Sequence, residues 1–337
     1  MVDLGSNYLG LPLKNPVVVS ASPLQQEIAN IVRMEDAGAA AVVMHSLFEE
    51  QIEAEGEDLN RWLEHATESY AESLTYLPDL EGYNRGPEAY LNHLSSVKKS
   101  VSIPVIASLN GVSLGAWTRY ARMMQDAGAD AIELNTYYVP TDPALTGAEI
   151  EHKYVELVAN VKASVHIPLA VKVSPFFSSI PNMMRRLDLA GADGLVMFNR
   201  FYQPDIDVEN LEVVSRLDLS RSYELLLRLN WVAIVHDQVK ADLAVTGGVH
   251  TALDVLKSMM AGARVAMMTS ALLENGIDHI QVVLRELTEW MEEHEYESIR
   301  QMQGSMSRKA APDASAFERN NYMRVLSSYT LDKTPTR

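Results

Sequence analysis

Residues 127–135 have the sequence Ala-Gly-Ala-Asp-Ala-Ile-Glu-Leu-Asn, and the start of this stretch recurs along the chain. Ala-Gly-Ala triplets also occur at 37–39, 190–192 and 261–263, each after an amphipathic stretch and before a short apolar run. Glycine favours the position that follows a helix, and an apolar run of this length indicates a strand buried on both faces. The repeat therefore predicts a helix-turn-strand unit that occurs four times.

A second set of apolar runs follows Pro16, Pro104, Pro168 and the pair Ala241-Asp242. Proline is allowed at the first position of a strand, because the sheet does not yet need its missing N–H group there. Interleaving the two sets predicts eight strands, near 16–21, 41–45, 104–108, 131–135, 168–173, 194–198, 242–246 and 265–269. Amphipathic patterns predict helices between them, for example at 114–127, 147–163, 179–190, 222–238 and 250–260.

Eight alternating strand–helix units predict an α/β chain folded as a closed (β/α)8 barrel, the TIM barrel. An open doubly wound sheet is the alternative. Residues 49–88 follow the second strand and carry twelve acidic and two basic residues, so we expect an acidic helical insertion. It is either solvated decoration or a lid over the barrel mouth. We expect residues 1–285 to form the barrel domain and residues 286–337 a C-terminal helical extension and tail.

The composition excludes several classes of function. The 337 residues include 28 Lys and Arg against 45 Asp and Glu, a net charge of −17. Such a charge repels nucleic acids and anionic lipids, so we expect neither as a partner. The chain has no cysteine, which excludes disulfides, thiolate nucleophiles and Cys-ligated metals. The first residues lack the basic and apolar segments of a secretion signal, so we expect a cytoplasmic enzyme acting on a small molecule.

The active site of a parallel barrel lies at the carboxyl ends of its strands. The predicted ends are polar and mostly neutral, and they contain neither a carboxylate pair nor a cluster of metal ligands, so glycosidase and metal-hydrolase activities are disfavoured. Lys172 lies within an apolar strand, where a cation needs an anion or an electron-rich partner. It suits a ligand to a phosphorylated or electron-accepting cofactor, a Schiff-base lysine, or a lysine that snorkels to solvent.

Small and hydroxylated residues end the last two predicted strands: Thr246, Gly247 and Gly248 end the seventh, and Thr269 and Ser270 end the eighth. The loops after these strands commonly bind phosphate through backbone N–H groups, which glycine leaves accessible. The pattern predicts a phosphate site, with an ordinary tight turn as the alternative.

Two amides and a histidine complete the candidate mouth. Asn135 and Asn199 end the fourth and sixth predicted strands, and an amide can both donate to and accept from the edge of a heteroaromatic ring. His45 and Ser46 end the second strand. A lone histidine is commonly structural, so His45 is either a ligand-contacting or a packing residue.

Several motifs together resemble the dihydroorotate dehydrogenase family in its soluble class 1 form, over about residues 2–285. The motifs that carry this resemblance are LGLPLKNP, NPVVVSASPL, AGAAAVVMHS, IPVIASLNG, AGADAIELN, IPLAVKVSP, AGADGLVMFN, TGGV and VAMMTSALLENG, in family order. The resemblance implies FMN as cofactor, with its phosphate at the glycine and hydroxyl residues that end the last two strands. It also implies flavin contacts from Ala21, Ser22, Ser46, Asn135 and Lys172, with Asn199 near the ring and the substrate.

The chain departs from this family at the substrate side of the site. His45 stands where the family usually has lysine, and residues 73–79 lack both asparagines of the family's substrate loop. The catalytic base of the family is a cysteine or serine, and Tyr138 corresponds to it here, with Thr136 or Tyr137 in its place if the loop is shifted. The resemblance further implies that Lys172 stabilises negative charge on the reduced flavin.

We therefore expect an FMN-dependent oxidoreductase that resembles dihydroorotate dehydrogenase, the enzyme that oxidises dihydroorotate to orotate in pyrimidine biosynthesis, with an altered substrate site. One alternative is a flavin barrel that oxidises a different substrate. Another is a non-catalytic flavin-binding partner of another redox protein, with the acidic segment 49–88 as its interface. The resemblance implies a homodimer.

Overall fold

The structure, a computed structural model, describes residues 2–48, 87–110 and 114–328. Two short antiparallel hairpins lie outside the main sheet: β1 (Ser6–Tyr8) with β2 (Leu11–Leu13), and β9 (Asp205–Asp207) with β10 (Glu212–Val214). The main sheet is formed by β3 (Val17–Val19), β4 (Ala41–Phe48), β5 (Val105–Asn110), β6 (Ala131–Asn135), β7 (Leu169–Val173), β8 (Gly194–Met197), β11 (Asp242–Thr246) and β12 (Val265–Met268).

These eight strands are all parallel and follow the order of the chain around a closed barrel, in which β12 pairs with β3. Each lies at one of the eight predicted positions. The prediction of a (β/α)8 barrel is confirmed, and the open doubly wound sheet is wrong. Closure removes the two exposed edges that an open sheet would present.

Helices cover the outside of the barrel. Their bounds are α1 (Ile28–Asp36), α2 (Pro87–Ser100), α3 (Leu114–Asp126), α4 (Gly147–Ser164), α5 (Ile180–Leu189), α6 (Leu225–Val235), α7 (Ala252–Ala261), α8 (Ser270–Asn275), α9 (His279–Glu293), α10 (Ile299–Met302) and α11 (Asn320–Ser328). The glycines of the four Ala-Gly-Ala triplets have φ between +98° and +121°, as the repeat predicts for the residue that follows a helix.

Two of the repeats continue with an aspartate that ties a strand to its neighbour. Asp193 accepts a hydrogen bond from the Leu169 backbone N–H at 2.8 Å and one from Lys162 Nζ at 2.5 Å. Asp130 makes the same two kinds of contact, with the Val105 N–H and with Lys98. Each carboxylate therefore joins the start of the preceding strand to the helix outside it.

The hydrophobic core has two layers, one between the strands and the surrounding helices and one inside the barrel. The inner layer contains Val18, Val43, Ile106 and Val196, and the β1–β2 hairpin adds Tyr8 to it. Tyr8 is 1% exposed. The hairpin thus closes the amino end of the barrel and leaves the carboxyl end as the open mouth.

The predicted acidic insertion lies almost entirely outside the described residues, since α2 begins at Pro87. The predicted boundary at 285/286 falls inside α9, where Val283 and Leu287 are both buried in the outer core. The division into a barrel domain and a C-terminal extension stays a prediction. Within the ranges that the structure covers, none of the helices has the length and apolar character needed to cross a membrane.

We expect Asp193→Ala to lower the free energy of unfolding by about 1–2 kcal/mol, because it removes a charge-assisted hydrogen bond to a backbone N–H at a strand start. Urea unfolding measures this. Asp126→Ala is the matched control, because this carboxylate is exposed and makes no hydrogen bond or ion pair with a described residue. Its loss should change the free energy of unfolding by less than about 0.5 kcal/mol. Equal losses in the two variants would contradict the proposed role of Asp193.

Candidate functional site

A cavity of about 440 Å³ occupies the mouth of the barrel. This volume lies in the usual range for small-molecule sites. Twelve of the fourteen residues predicted for the site line it: Ala21, Ser22, His45, Ser46, Asn135, Lys172, Asn199, Thr246, Gly247, Gly248, Thr269 and Ser270. The structure thus brings together residues from seven strand ends that the sequence holds up to about 250 positions apart.

The other two predicted residues do not line this cavity. Tyr138 lies beside a separate cavity of about 90 Å³ against α4, next to Lys153 and Tyr154. Burial, with a smaller contribution from Tyr138, raises the pKa of Tyr154 to about 12. Thr136 is 1% exposed, and its hydroxyl donates to the Lys172 carbonyl oxygen at 2.9 Å. Neither side chain lines the mouth, whereas Tyr137 between them does.

Polar side chains at the mouth bind one another across the barrel. The Asn199 amide donates to Asn135 Oδ1 at 2.5 Å, and the hydroxyls of Ser46 and Ser108 lie 2.8 Å apart. A third contact joins two further hydroxyls, Ser20 Oγ and Thr246 Oγ1, at 3.2 Å. A buried polar group without a hydrogen-bond partner is destabilising, so these pairs stabilise the polar end of the barrel interior at the mouth.

Lys172 forms an ion pair inside the barrel with Glu133, which is 0% exposed, and the Nζ–Oε1 distance is 3.5 Å. Neither carboxylate oxygen of Glu133 accepts a hydrogen bond from a described residue. Its negative charge acts on two buried phenols: after burial itself, Glu133 is the next cause that raises the pKa of Tyr8, and it also raises that of Tyr90. The pair places a cation at the floor of the mouth with its counterion beneath it.

The loop after β3 is stabilised by hydrogen bonds from a buried side chain of its own. The side chain of Gln25 is 0% exposed; its oxygen accepts from the backbone N–H and hydroxyl of Ser22, and its amide nitrogen donates to the Ser20 carbonyl oxygen. His93 in turn hydrogen-bonds through Nε2 to the Gln25 carbonyl oxygen at 2.8 Å. These contacts fix the backbone at the rim where Ala21 and Ser22 face the cavity.

His45 lines the cavity while its ring packs on others. The Tyr90 ring lies edge-on to it with centroids 5.1 Å apart, and the His93 ring lies at 5.5 Å. Both of the roles open for His45, contact with a ligand and packing, are therefore compatible with its position.

The turn after β11 requires glycine. Gly247 and Gly248 have φ of +88° and +82°, values that residues with a Cβ rarely adopt. A Cβ on Gly248 would stand 2.6 Å from the Leu225 backbone nitrogen and 2.9 Å from the Arg221 carbonyl oxygen. The Gly248 N–H donates to Ser220 Oγ, which itself donates to Ser270 Oγ at 2.8 Å. The backbone and hydroxyl groups of the predicted phosphate site thus converge at one corner of the cavity.

Several residues that the sequence analysis did not select also belong to this site. Arg200, Tyr202 and Ser220 line the cavity, and Arg228 lies directly behind the Gly247 turn. Tyr137, which the sequence analysis named as an alternative base, lines the cavity too. Arg200 could have been found from its place next to Asn199. Glu133, which lies outside the cavity lining, could have been found too, because it precedes Asn135 by two residues and so faces the same side of its strand. Ser220 and Arg228 carry no local signal, since only the fold brings them to the turn.

Charge at the rim is balanced within the chain. Arg200 Nη2 lies 3.6 Å from Glu224 Oε1, and the Arg200 guanidinium lies 5.9 Å from the centre of the Tyr202 ring. The Tyr137 hydroxyl accepts a hydrogen bond from the Tyr202 backbone N–H at 3.3 Å. The rim above the polar floor is therefore built from two tyrosines and a cation.

Comparison with known proteins shows similarity along most of the chain. The family model for dihydroorotate dehydrogenase matches residues 3–291. The catalytic subunit of dihydroorotate dehydrogenase B (NAD(+)) from Thermoplasma acidophilum is 25% identical over 312 residues, covering 90% of this chain and 99% of that protein. The corresponding subunit from Thermoplasma volcanium is 26% identical, with 90% and 98% covered. A putative dihydroorotate dehydrogenase A (fumarate) from Aeropyrum pernix is 28% identical over 191 residues, covering 54% of this chain and 61% of that protein.

The ion pair beneath the mouth should show strong energetic coupling. We expect Glu133→Gln and Lys172→Met each to lower the free energy of unfolding by about 3 kcal/mol, because each leaves a buried charge without its partner. In the double variant, the decrease in the free energy of unfolding should be smaller than the sum of the two single decreases by at least about 1 kcal/mol. Urea unfolding of the flavin-free chain measures all three.

Glu151→Gln and Arg186→Met form the matched control cycle, since this pair on the outer helices is more exposed and should couple by less than about 1 kcal/mol. Additive losses for Glu133 and Lys172 would contradict the coupling.

Proposed function

The chain belongs to the dihydroorotate dehydrogenase family, whose members are flavin-dependent oxidoreductases that act on a CH–CH bond with FMN as cofactor, and we propose that it oxidises a small dihydro acid in this mouth. The observation that supports the proposal most strongly is the convergence of a glycine turn, two hydroxyl residues and a buried lysine on one cavity. The glycine turn and the hydroxyl residues would provide a phosphate cradle, and the lysine would provide a cation near the ring.

The residues at the turn fit the phosphate end of FMN. A Cβ at Gly248 would stand 2.6 Å from the Leu225 backbone nitrogen, so this close turn can form only without a side chain. Gly247, Gly248, Thr269 and Ser270 would hold the phosphate, with Thr246 beneath the turn. The Thr269 hydroxyl donates to the Ser20 carbonyl oxygen at 2.9 Å, so Thr269 would contribute through its backbone rather than through this hydroxyl.

The polar floor suits the ring end of FMN. Asn135 and Asn199 are already bonded to each other, so each has an orientation set before a ligand enters. Ala21, Ser22, His45 and Ser46 line the same cavity and would contact the ring as well. When bound, FMN supplies the acceptor for the hydride.

Lys172 would act as the cation of the site. Its charge is retained in the barrel interior because Glu133 compensates it, and its ammonium group remains 3.5 Å from that carboxylate. A fixed cation at this depth favours negative charge on whatever lies above it, since a low-dielectric interior strengthens electrostatic attraction. We assign it the stabilisation of the reduced state.

The proton acceptor is the part of the site that differs from the family pattern. Tyr138 faces α4 and the Thr136 hydroxyl is bonded to a carbonyl oxygen, whereas Tyr137 lines the mouth. We therefore favour Tyr137 over Tyr138 and Thr136 as the group nearest the substrate. Tyrosine is a poor base at neutral pH.

A second candidate, a flavin-dependent oxidation of a different substrate, is favoured by the composition of the rim. Tyr137, Tyr202 and Arg200 offer aromatic faces and a cation where the family resemblance implies a small base residue. Such a rim suits a larger substrate with a flat or anionic group. The small-molecule nature of the substrate is common to both candidates.

We also propose a homodimer, with another redox protein as its electron-transfer partner, and a cytoplasmic location. The β9–β10 hairpin supports an interaction surface, because Ile206 and Val213 face each other across its strands and are 67% and 74% exposed. Leu211, at the turn of the hairpin, is 87% exposed. Exposed apolar groups concentrated in this way commonly mark a protein contact.

The cradle predicts that Gly248→Ala lowers FMN affinity at least tenfold, because the added Cβ displaces the turn that would bind the phosphate. Titration of the flavin-free chain with FMN, followed by flavin fluorescence, measures this. Gly10→Ala is the matched control, since Gly10 also has positive φ (+73°) but has open space around its Cβ position and lies at the closed end. A wild-type chain that binds no FMN would overturn the proposed cofactor.

The altered base position predicts weak oxidation of dihydroorotate, well below the typical turnover of about 10 s⁻¹. General-base help is commonly worth about 10²–10⁴-fold, so Tyr137→Cys should raise the rate of flavin reduction by dihydroorotate under anaerobic conditions. Tyr138→Cys is the comparison, because the Tyr138 side chain lies against α4 and outside the mouth cavity. A wild-type rate near the typical value, or a larger gain at 138 than at 137, would contradict the assignment.

A further inference from the structure

Arg228 is a buried cation that the proposed mechanism does not use. It lies in the first half of α6, and the residue is 5% exposed. Its Nε donates to the Thr246 carbonyl oxygen at 3.1 Å, and its Nη1 donates to the Glu224 carbonyl oxygen at 2.8 Å. Both partners are neutral backbone groups, so these bonds satisfy donors without compensating the charge.

No carboxylate in the described part of the chain forms an ion pair with Arg228. The nearest acidic side chain on the same turn, Glu224, is engaged elsewhere: it accepts from the Arg221 backbone N–H at 3.0 Å and lies 3.6 Å from Arg200. Burial is the largest influence on the pKa of Arg228 and lowers it; the negative charge of Glu224 raises it, and the positive charge of Arg200 lowers it again. The guanidinium stays protonated, and Glu224 offsets only part of the cost of burying it, since that carboxylate is shared with Arg200.

The position of the guanidinium indicates what compensates it. A Cβ on Gly247 would lie 3.0 Å from Arg228 Nη2 and 3.3 Å from its Cζ. The cation therefore lies against the back of the Gly247 backbone, while the front of Gly247 lines the mouth cavity. Only the thickness of one peptide backbone separates the positive charge from a group bound at the turn.

We propose that Arg228 is the charge partner of a phosphate monoester dianion bound at the Gly247–Gly248 turn, and that through this turn it selects FMN over the same flavin without phosphate. The inference rests on the proposed function, since it takes FMN as the occupant. Arg228 is a positioning residue: it holds the turn through the Thr246 carbonyl oxygen and adds the charge that backbone N–H groups lack. Removing the charge should weaken binding of the phosphate and leave binding of the ring unchanged.

The ratio of FMN affinity to riboflavin affinity tests this, because riboflavin carries the same ring without the phosphate. The flavin-free full-length chain is titrated with each ligand, for the wild type, Arg228→Gln, Arg228→Lys and Arg264→Gln. Glutamine keeps a donor for the Thr246 carbonyl oxygen but loses the charge, and lysine keeps the charge. Arg264→Gln removes one positive charge at the closed end of the barrel, where Arg264 pairs with Asp242.

We expect Arg228→Gln to lower the FMN-to-riboflavin ratio at least tenfold with riboflavin affinity within twofold of wild type. Arg228→Lys and Arg264→Gln should keep the ratio within threefold. The inference would be overturned if the ratio were unchanged in Arg228→Gln, or if this variant lost equal affinity for both ligands or bound neither. It would also be overturned if the ratio fell as far in Arg228→Lys as in Arg228→Gln. Any of these results would leave Arg228 with a structural role only. A wild type with no preference for FMN would instead overturn the proposed cofactor.

Discussion

Closure of eight parallel strands is the constraint on which the rest of this molecule depends. In a closed barrel every second residue of each strand must face the interior, whatever its chemistry. Along β6 these residues are Ala131, Glu133 and Asn135, and along β7 they are Ala170 and Lys172. The interior is thus apolar at the amino end and polar at the carboxyl end, and the same strands form both the core and the site.

A polar interior at one end of a barrel is stable only if its groups satisfy one another. Three side-chain pairs and one ion pair do so here, and each joins different strands. The cross-strand contacts also fix the orientation of the amides and hydroxyls before a ligand binds. Pre-organisation of this kind reduces the entropy lost on binding and directs fixed dipoles at the cavity. Stability and binding are therefore two consequences of the same contacts.

The two ends of the proposed cofactor site differ in how they are built. The phosphate end depends on backbone geometry, which positive φ values at adjacent glycines specify almost uniquely. The substrate side depends on side chains in loops, where one residue of shift exchanges which tyrosine faces the mouth. Backbone geometry therefore constrains the proposed cradle more tightly than it constrains the side chains of the loops. Loops carried on a rigid barrel can change their chemistry without changing the fold.

The sequence by itself determined the barrel, because the Ala-Gly-Ala repeat and the apolar runs are local patterns whose spacing leaves few other topologies. It also predicted which strand ends meet, since parallel strands place all their carboxyl ends at one mouth. It did not decide between Thr136, Tyr137 and Tyr138, because the alternation that orients side chains ends with β6. Nor did it indicate Arg228, which only the packing of α6 against β11 brings behind Gly247. Contacts of that kind depend on how a helix lies across a strand, and no local pattern in the chain encodes that distance.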